Sequence, residues 1–221
     1  MAEQEYPVGD RSRVRRKPER GSHERAVVDA ILDEGLACHV GVVVDSRPVV
    51  IPMSYARDGG RLILHGAAGS RLMWALASGC EACVTVTHLD GIVVAHSAFD
   101  SSMNYRSAVA FGRARAIDDP AAKRRALDVL TDHLIPGRAG EIRPPTDAEL
   151  AATTVIELVI EEASAKTRSG PPSKPARSIP RGVWSGVVPL RLTALPAVPA
   201  PGAPGEPPAS VRRVGGRVSG T

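Results

Sequence analysis

Three β-branched-rich runs follow one another between residues 37 and 65, parted only by turns, and no other stretch limits the fold so tightly. Ala37–Val44 (ACHVGVVV) and Val49–Ala56 (VVIPMSYA) flank Asp45-Ser46-Arg47-Pro48. Arg57-Asp58-Gly59-Gly60 then leads into Arg61–His65. Connections this short suit antiparallel neighbours, because a parallel pair needs a crossover of about a dozen residues or more. Three consecutive antiparallel strands are implied.

The pattern continues downstream. Cys83–His88 alternates as a fourth strand, Asp90-Gly91 reads as a turn, and Ile92–His96 begins a fifth. Tyr105–Ile117 is a long strand whose Gly112 can bend at a barrel corner, and Thr153–Glu162 (TTVIELVIEE) is the last. Helices fall between them. One follows a cap at Ser22, with Ala26, Val27, Ala30, Ile31 and Leu32 on one face, and ends at Glu34-Gly35. A second runs from Ser70 to Ser78 and stops at Gly79, and a third, opened by Asp118-Asp119-Pro120, carries Leu127, Leu130 and Leu134 on one stripe. Pro144-Pro145-Thr146 caps a short turn over 147–151. Many short-spaced strands and few helices predict a mainly β (α+β) fold, a six- to seven-stranded antiparallel split β-barrel with flanking helices. No Rossmann layout is present.

Only 3% of residues are aromatic, so the core must come from Val, Ala, Leu and Ile. No apolar run is long enough for a membrane span, and the first residues lack the basic-then-apolar order of a secretory signal, which predicts a cytoplasmic protein. Three cysteines are too few, and odd in number, for a disulfide framework. The net charge of +4 hides an asymmetry: residues 166–221 carry +8 and the rest −4. No basic stripe interleaved with aromatics crosses the folded part, so nucleic acid is not an expected partner. Eleven of the nineteen prolines lie beyond Lys166, which argues against an independent domain there. The expected organisation is a flexible basic arm over 1–21, with Arg11, Arg13, Arg15, Arg16, Lys17 and Arg20, and a barrel domain over 22–165. A proline-rich extension over 166–195 docks through Val183–Leu192, and a disordered basic tail covers 196–221.

The third strand runs into a turn of small residues. Gly66-Ala67-Ala68-Gly69 keeps no bulk between backbone and ligand, Ser70 stands where a helix begins, and Arg71 adds a forked donor set. Free N–H groups and the helix dipole suit this elbow to a phosphate. Elsewhere the chemistry is thin. Cys80-Glu81-Ala82-Cys83 has metal or redox spacing, with Cys38-His39 as further ligands, but no second pair accompanies it, so buried apolar roles are expected and no metal site is assigned. His88 and His96 flank Asp90-Gly91 and would face each other across a hairpin. No G-x-S-x-G elbow marks a hydrolase.

Four segments carry a family resemblance: Val50-Ile51-Pro52-Met53-Ser54-Tyr55, the turn from His65 to Arg71, the strand Tyr105–Ala114, and Ser169-Gly170-Pro171-Pro172 followed by Val183–Leu190. In this order they resemble the pyridoxamine 5′-phosphate oxidase-related flavin-binding split barrels over residues 15–192. Within that group the chain looks most like the branch that includes the nitroimidazole-resistance reductases. The resemblance implies a homodimer holding FMN in a groove between subunits. Ser70 and Arg71 match the phosphate-binding positions, and Pro52, Met53 and Ser54 the strand along the ring edge. Leu64 and His65 match the strand end beside the flavin, and Ser107 a polar position near the ring. Leu72 stands where the oxidases proper carry a second basic residue, and their C-terminal Arg and His signature is not evident, so vitamin B6 oxidation is not expected.

The implied activity is an FMN-dependent transfer of hydride from a reduced nicotinamide, or a deazaflavin, to a small acceptor such as a nitroaromatic. His65 would contact the substrate or donate a proton. The alternative is a non-catalytic flavin- or haem-binding module in which His65 is an orienting or axial group. A lone histidine at a strand end is ordinarily a structural residue.

Overall fold

The computed structural model describes residues 4–173 and 182–218. Among these residues nine strands and five α-helices are formed: β1 (Gly21–Ser22), α1 (Arg25–Glu34), β2 (Ala37–Val44), β3 (Arg47–Asp58), β4 (Arg61–Ala67), α2 (Arg71–Ala77), β5 (Glu81–Val94), β6 (Ser102–Ala116), α3 (Pro120–Leu134), α4 (Asp147–Ala152), β7 (Thr153–Val159), β8 (Glu162–Arg168), β9 (Gly186–Pro189) and α5 (Ala209–Val218). The sheet order is β1-β8-β6-β7-β4-β3-β2-β5-β9, and the further β5–β6 pairing closes β6, β7, β4, β3, β2 and β5 into a ring. Every ladder is antiparallel. This is the expected split barrel, with more strands than the six or seven anticipated.

Two strands do double duty at the splits. β6 pairs β8 over Tyr105–Phe111 and then β7 over Ala114–Ala116. Gly112 sits at the changeover, where an added Cβ would lie 1.9 Å from the Val159 carbonyl oxygen. Only glycine lets the two backbones approach so closely. On the opposite edge of the hairpin, β5 pairs β2 over Cys83–Thr85 and β9 over Gly91–Val94, leaving a gap between.

The β2–β3 turn is tighter than its four turn-forming residues suggest: Asp45 and Ser46 take φ of 50° and 60°, and the ladder already begins at Val44–Arg47. Two expected strands, Cys83–His88 and Ile92–His96, are one. Asp90-Gly91 makes a bulge between Leu89 and Gly91 of β5, because both halves pair with the single long β6. His88 and His96 therefore do not face each other across a hairpin. The run read as one strand over 153–162 is two, β7 and the start of β8, because the chain turns at Ile160-Glu161.

The interior is filled from both ends. Val28, Ile31 and Leu32 of α1, and Leu72, Met73 and Leu76 of α2, meet Val40, Leu62, Leu64, Val84, Ala110 and Leu158 of the strands. α1 rotates from the expected face, burying Val28 while Ala26 and Ala30 stay exposed. Its end is locked by Tyr55, whose hydroxyl donates to the Leu32 carbonyl, and by His133 Nε2 at 2.7 Å from the Gly35 carbonyl oxygen. α3 lies outside, covering Ala56, Ile63 and Val155 with Ala126 and Leu130. Asp119 caps it at 2.7 Å from the Ala122 N–H, and Thr146 with Glu149 forms a capping box on α4.

Both terminal segments make contacts with the rest of the chain. Tyr6 is 1% exposed inside the main core, and its hydroxyl donates to Asp29 at 2.7 Å. Arg11 donates to Glu162 at 2.7 and 3.0 Å. Arg11 fastens the arm to the carboxylates of Glu161 and Glu162 at the start of β8. At the far end α5 docks through Ser210, 0% exposed, whose N–H lies 3.0 Å from Glu141 Oε1. Parts of the arm, extension and tail on residues 1–3, 174–181 and 219–221 lie outside the described residues.

Candidate functional site

Strand alternation and register build a row of side chains on the outer surface of the barrel. One step past the last β3–β4 pair, Tyr55–Leu64, stand Ser54 and His65. Ser54 pairs with Ala37, Thr87 with Ser107, and Ser107 with Lys166. Their chain neighbours Tyr55, Leu64, Cys38, Val86, Ala108 and Ala165 all belong to the interior cluster, so the row faces outward. Between Ala37 and Thr87, where β2 and β5 part, the row opens into a cleft of about 870 Å³. Apolar Leu36, Val86, Leu89, Leu190 and Leu192 line it, together with Glu34, His88, Asp90, Arg106 and Arg191.

The register separates the sequence-derived residues into two sets. Pro52, Ser54 and His65 share the outer face, and Ser107 lies on the far side of the cleft with its hydroxyl donating to the Lys166 carbonyl at 3.2 Å. Leu64 is 0% exposed in the core and Met53 packs against that core, so these two offer only backbone to the outside. His65 is half-buried, and its Nδ1 is buried without a hydrogen-bond partner. Burial pushes the imidazole below its ordinary pKa, which keeps the ring neutral and one nitrogen free to bind.

The elbow after His65 is held by backbone. Ala68 N–H donates to the Ala152 carbonyl at 3.0 Å, Ser70 N–H to Ala67 at 2.9 Å, and Trp74 Nε1 to Ala68 at 2.7 Å. Its two glycines differ in role. A Cβ on Gly66 would meet Met73 Cγ at 2.9 Å, so its smallness serves the packing of α2, whereas Gly69 has nothing within 4 Å and faces open space. Ser70 is the N-cap of α2 but its side chain makes no capping bond. Arg71 is exposed and makes no ion pair among the described residues.

The charged side of the cleft escaped the sequence reading. Arg106 donates to Asp90 at 3.0 and 2.9 Å and to Glu34 at 2.8 Å. The Arg106 guanidinium holds the Glu34 carboxyl below the usual carboxylate range. His88 Nε2 lies 3.0 Å from the Ile31 carbonyl oxygen. These residues come from α1, β5 and β6, and the one local signal, Asp90-Gly91, reads equally as a turn. Burial raises the Cys80 and Cys83 pKa values and pushes Cys38 up to about 12. Among the described residues no three His, Cys, Asp or Glu side chains gather for a metal, and no helix is long and apolar enough to cross a membrane.

The model of the pyridoxamine 5′-phosphate oxidase family matches residues 24–167. The chain belongs to this family. The match spans the whole barrel from α1 to β8, and solved structures extend the likeness. The FAD and heme binding protein from Mycobacterium smegmatis is 42% identical, with a TM-score of 0.84 over 89% of this chain and 97% of that one. The flavocytochrome Anf3 from Azotobacter vinelandii is 37% identical, with a TM-score of 0.86 over 93% and 96%. A candidate 5-nitroimidazole antibiotic resistance protein from Bacteroides thetaiotaomicron shares the fold at 22% identity, with a TM-score of 0.57 over 66% and 85%. No curated protein matches the chain. Family membership thus accounts for the barrel, and the first two likenesses reach beyond it into the flanking segments.

Proposed function

We propose that the protein is a flavin-binding oxidoreductase that also carries haem. The observation behind this reading is the likeness, over nearly the full length, to two proteins described as an FAD and heme binding protein and a flavocytochrome. The side chains present suit both groups. Gly69 leaves the elbow backbone open, the exposed Arg71 has no ion pair among the described residues, and the buried His65 Nδ1 has no partner among them either. FMN, implied by the family resemblance, and FAD, bound by the mycobacterial relative, share the isoalloxazine ring and the first phosphate that these residues address.

In this reading Ser70 and Arg71 bind the phosphate. Pro52 and Ser54, with the backbone of Met53 and Leu64, border the ring, and Ser107 offers a hydroxyl across the cleft. His65 serves as the neutral donor to iron or as the group that passes a proton to substrate. When bound, the flavin supplies two-electron hydride chemistry and the haem one-electron transfer. The protein's part is to orient the ring, to exclude water through the apolar lining, and to place the His65 ring beside it. A reduced nicotinamide or a deazaflavin is the proposed donor, and a small oxidised molecule such as a nitroaromatic the acceptor. Two copies meeting across the outer face of β2–β3 would enclose the groove, in the cytoplasm.

Absorption spectra of the purified protein, with acid extraction to separate FMN from FAD, test the proposal. Flavin bands that bleach anaerobically with the donor and return with an acceptor support it; protein that binds neither added flavin nor haem overturns it. Arg71→Ala is expected to weaken flavin binding by about 1.5–3 kcal/mol, the loss of a charged hydrogen bond. His65→Ala should retain flavin while losing haem or turnover.

A further inference from the structure

The basic arm brings a second set of cations together, away from the elbow. β1 pairs β8 through Gly21–Lys166 and Ser22–Ala165, and this ladder sets Arg20, at the end of the short 3-10 turn Pro18–Arg20, beside Thr167 and Arg168. A pocket of about 350 Å³ opens there. Its lining includes Glu19, Arg20, Thr167, Arg168, Ser169 and Ser173. In the sheet order β6 and β7 lie between β8 and β4, the strand that leads into the elbow, so the two places belong to different strands.

The charges in this pocket are not balanced. Arg168 is 9% exposed, yet its hydrogen bonds go to neutral oxygens: Asn104 Oδ1, the Pro171 carbonyl at 3.1 Å and the Gly170 carbonyl at 3.4 Å. Among the described residues no carboxylate stands within ion-pair distance of it. A buried guanidinium ordinarily has a counter-charge, because desolvating an uncompensated ion is among the largest penalties a fold carries. Arg20 is half-buried and its side chain makes no hydrogen bond or ion pair among the described residues either. Glu19 is exposed and pairs with neither arginine. Lys166, two residues earlier in β8, gives its Nζ to the Arg16 carbonyl at 2.8 Å, another neutral acceptor.

Two forked donors with hydroxyls around them match a compact anion of several oxygens, and a phosphate monoester carries about 1.5 to 2 negative charges at neutral pH. We propose that this pocket is a phosphate site, distinct from the elbow, in which Arg20 and Arg168 clamp the phosphate monoester of a small molecule. The ligand supplies the counter-charge that Arg168 lacks. It also lies next to the cleft, because Thr167 pairs with Arg106, the arginine of the cleft wall.

Thermal melts of the full chain in inorganic phosphate, with chloride and acetate at matched ionic strength as controls, test the proposal. A ligand held by the native state raises the melting temperature as its concentration rises. Phosphate is expected to stabilise the wild type more than acetate does, and Arg71→Ala should retain that response. Arg20→Ala should raise the phosphate dissociation constant roughly tenfold or more, as loss of a charge-assisted hydrogen bond does. Arg168→Gln should do the same, and because Arg20 is not part of the core, Arg20→Ala decides the matter if Arg168→Gln does not fold. A phosphate response no larger than that to acetate, one that Arg20→Ala leaves intact, or one that Arg71→Ala abolishes, would overturn the proposal. NADP⁺ and NAD⁺ differ by one phosphate monoester and separate its carriers. Tighter binding of NADP⁺ that Arg20→Ala removes puts the group on the nicotinamide donor proposed above; equal binding, with the phosphate response intact, puts it on a separate phosphorylated molecule.

Discussion

Arg106 grips Asp90 with two hydrogen bonds, 3.0 Å from Nε and 2.9 Å from Nη2, across the bulge that interrupts β5. The same guanidinium reaches Glu34 at the end of α1, and the Asp90 carbonyl accepts from the Leu190 N–H just after β9. One side chain thereby joins three segments that meet at the mouth of the cleft.

Arg106→Gln should therefore destabilise the fold by about 1–2 kcal/mol, the value of charged hydrogen bonds discounted for a partly exposed site. Urea unfolding measures it. The pH dependence has a definite sign: Glu34 is held below its ordinary value in the folded state, so its contribution is present above the usual carboxylate range and fades as pH falls through the folded value. Glu34→Gln should flatten that part of the acid limb, and an unchanged limb would show that the pair contributes nothing.

Gly112→Ala is expected to be among the most damaging single changes. Its Cβ would stand 1.9 Å from a backbone oxygen of β7, which no side-chain rotation relieves. A loss of about 3 kcal/mol, the upper end for overpacking, should appear as insoluble or poorly cooperative protein in thermal melts. A variant as stable as the wild type would mean that β6 and β7 do not cross here.

Tyr6 tests the packing of the N-terminal arm. Burial and Asp29 push its pKa up to about 12, and the ring fills a core position. Tyr6→Ala should cost about 3–5 kcal/mol, as large-to-small changes of buried aromatics do. A solvated arm would show almost no change in the urea midpoint.

His65 should impose its own pH dependence on the cofactor-free protein. Because burial lowers its folded pKa, the unfolded chain takes up the proton first as pH falls. Stability then declines from about pH 6.5, the ordinary histidine value, down through the folded value. His65→Leu should remove this decline. Melting temperatures of both proteins in that window decide it, and parallel curves would place His65 in contact with solvent.

Hairpins and several helix ends were legible because their causes are local, whereas the expected cap at Ser22 lies in β1 and α1 starts only after Glu24, without a side-chain cap. Val and Ile alternation, Asp45-Ser46, Gly59-Gly60, and Asp119 before Pro120 act within a few residues of themselves. Asp90-Gly91 marks the limit. The pair bends the backbone in the same way in a turn or a bulge, and only the unbroken length of β6 on the other side decides which. The elbow at His65–Arg71 was visible as small residues before a helix, but not that Gly66 is small for Met73 while Gly69 is small toward open space.

The sequence by itself therefore determined a strand-rich chain, its turns, and the outer-facing residues within any one strand. Tertiary structure alone decided that His65, Ser54, Ala37, Thr87 and Ser107 form one row, and that Arg106, Asp90 and Glu34 guard the cleft inside it. The reason is physical. Side-chain alternation is a property of the backbone pleat, whereas register between strands is set by which apolar sides close on a common core, through contacts between residues far apart in the chain.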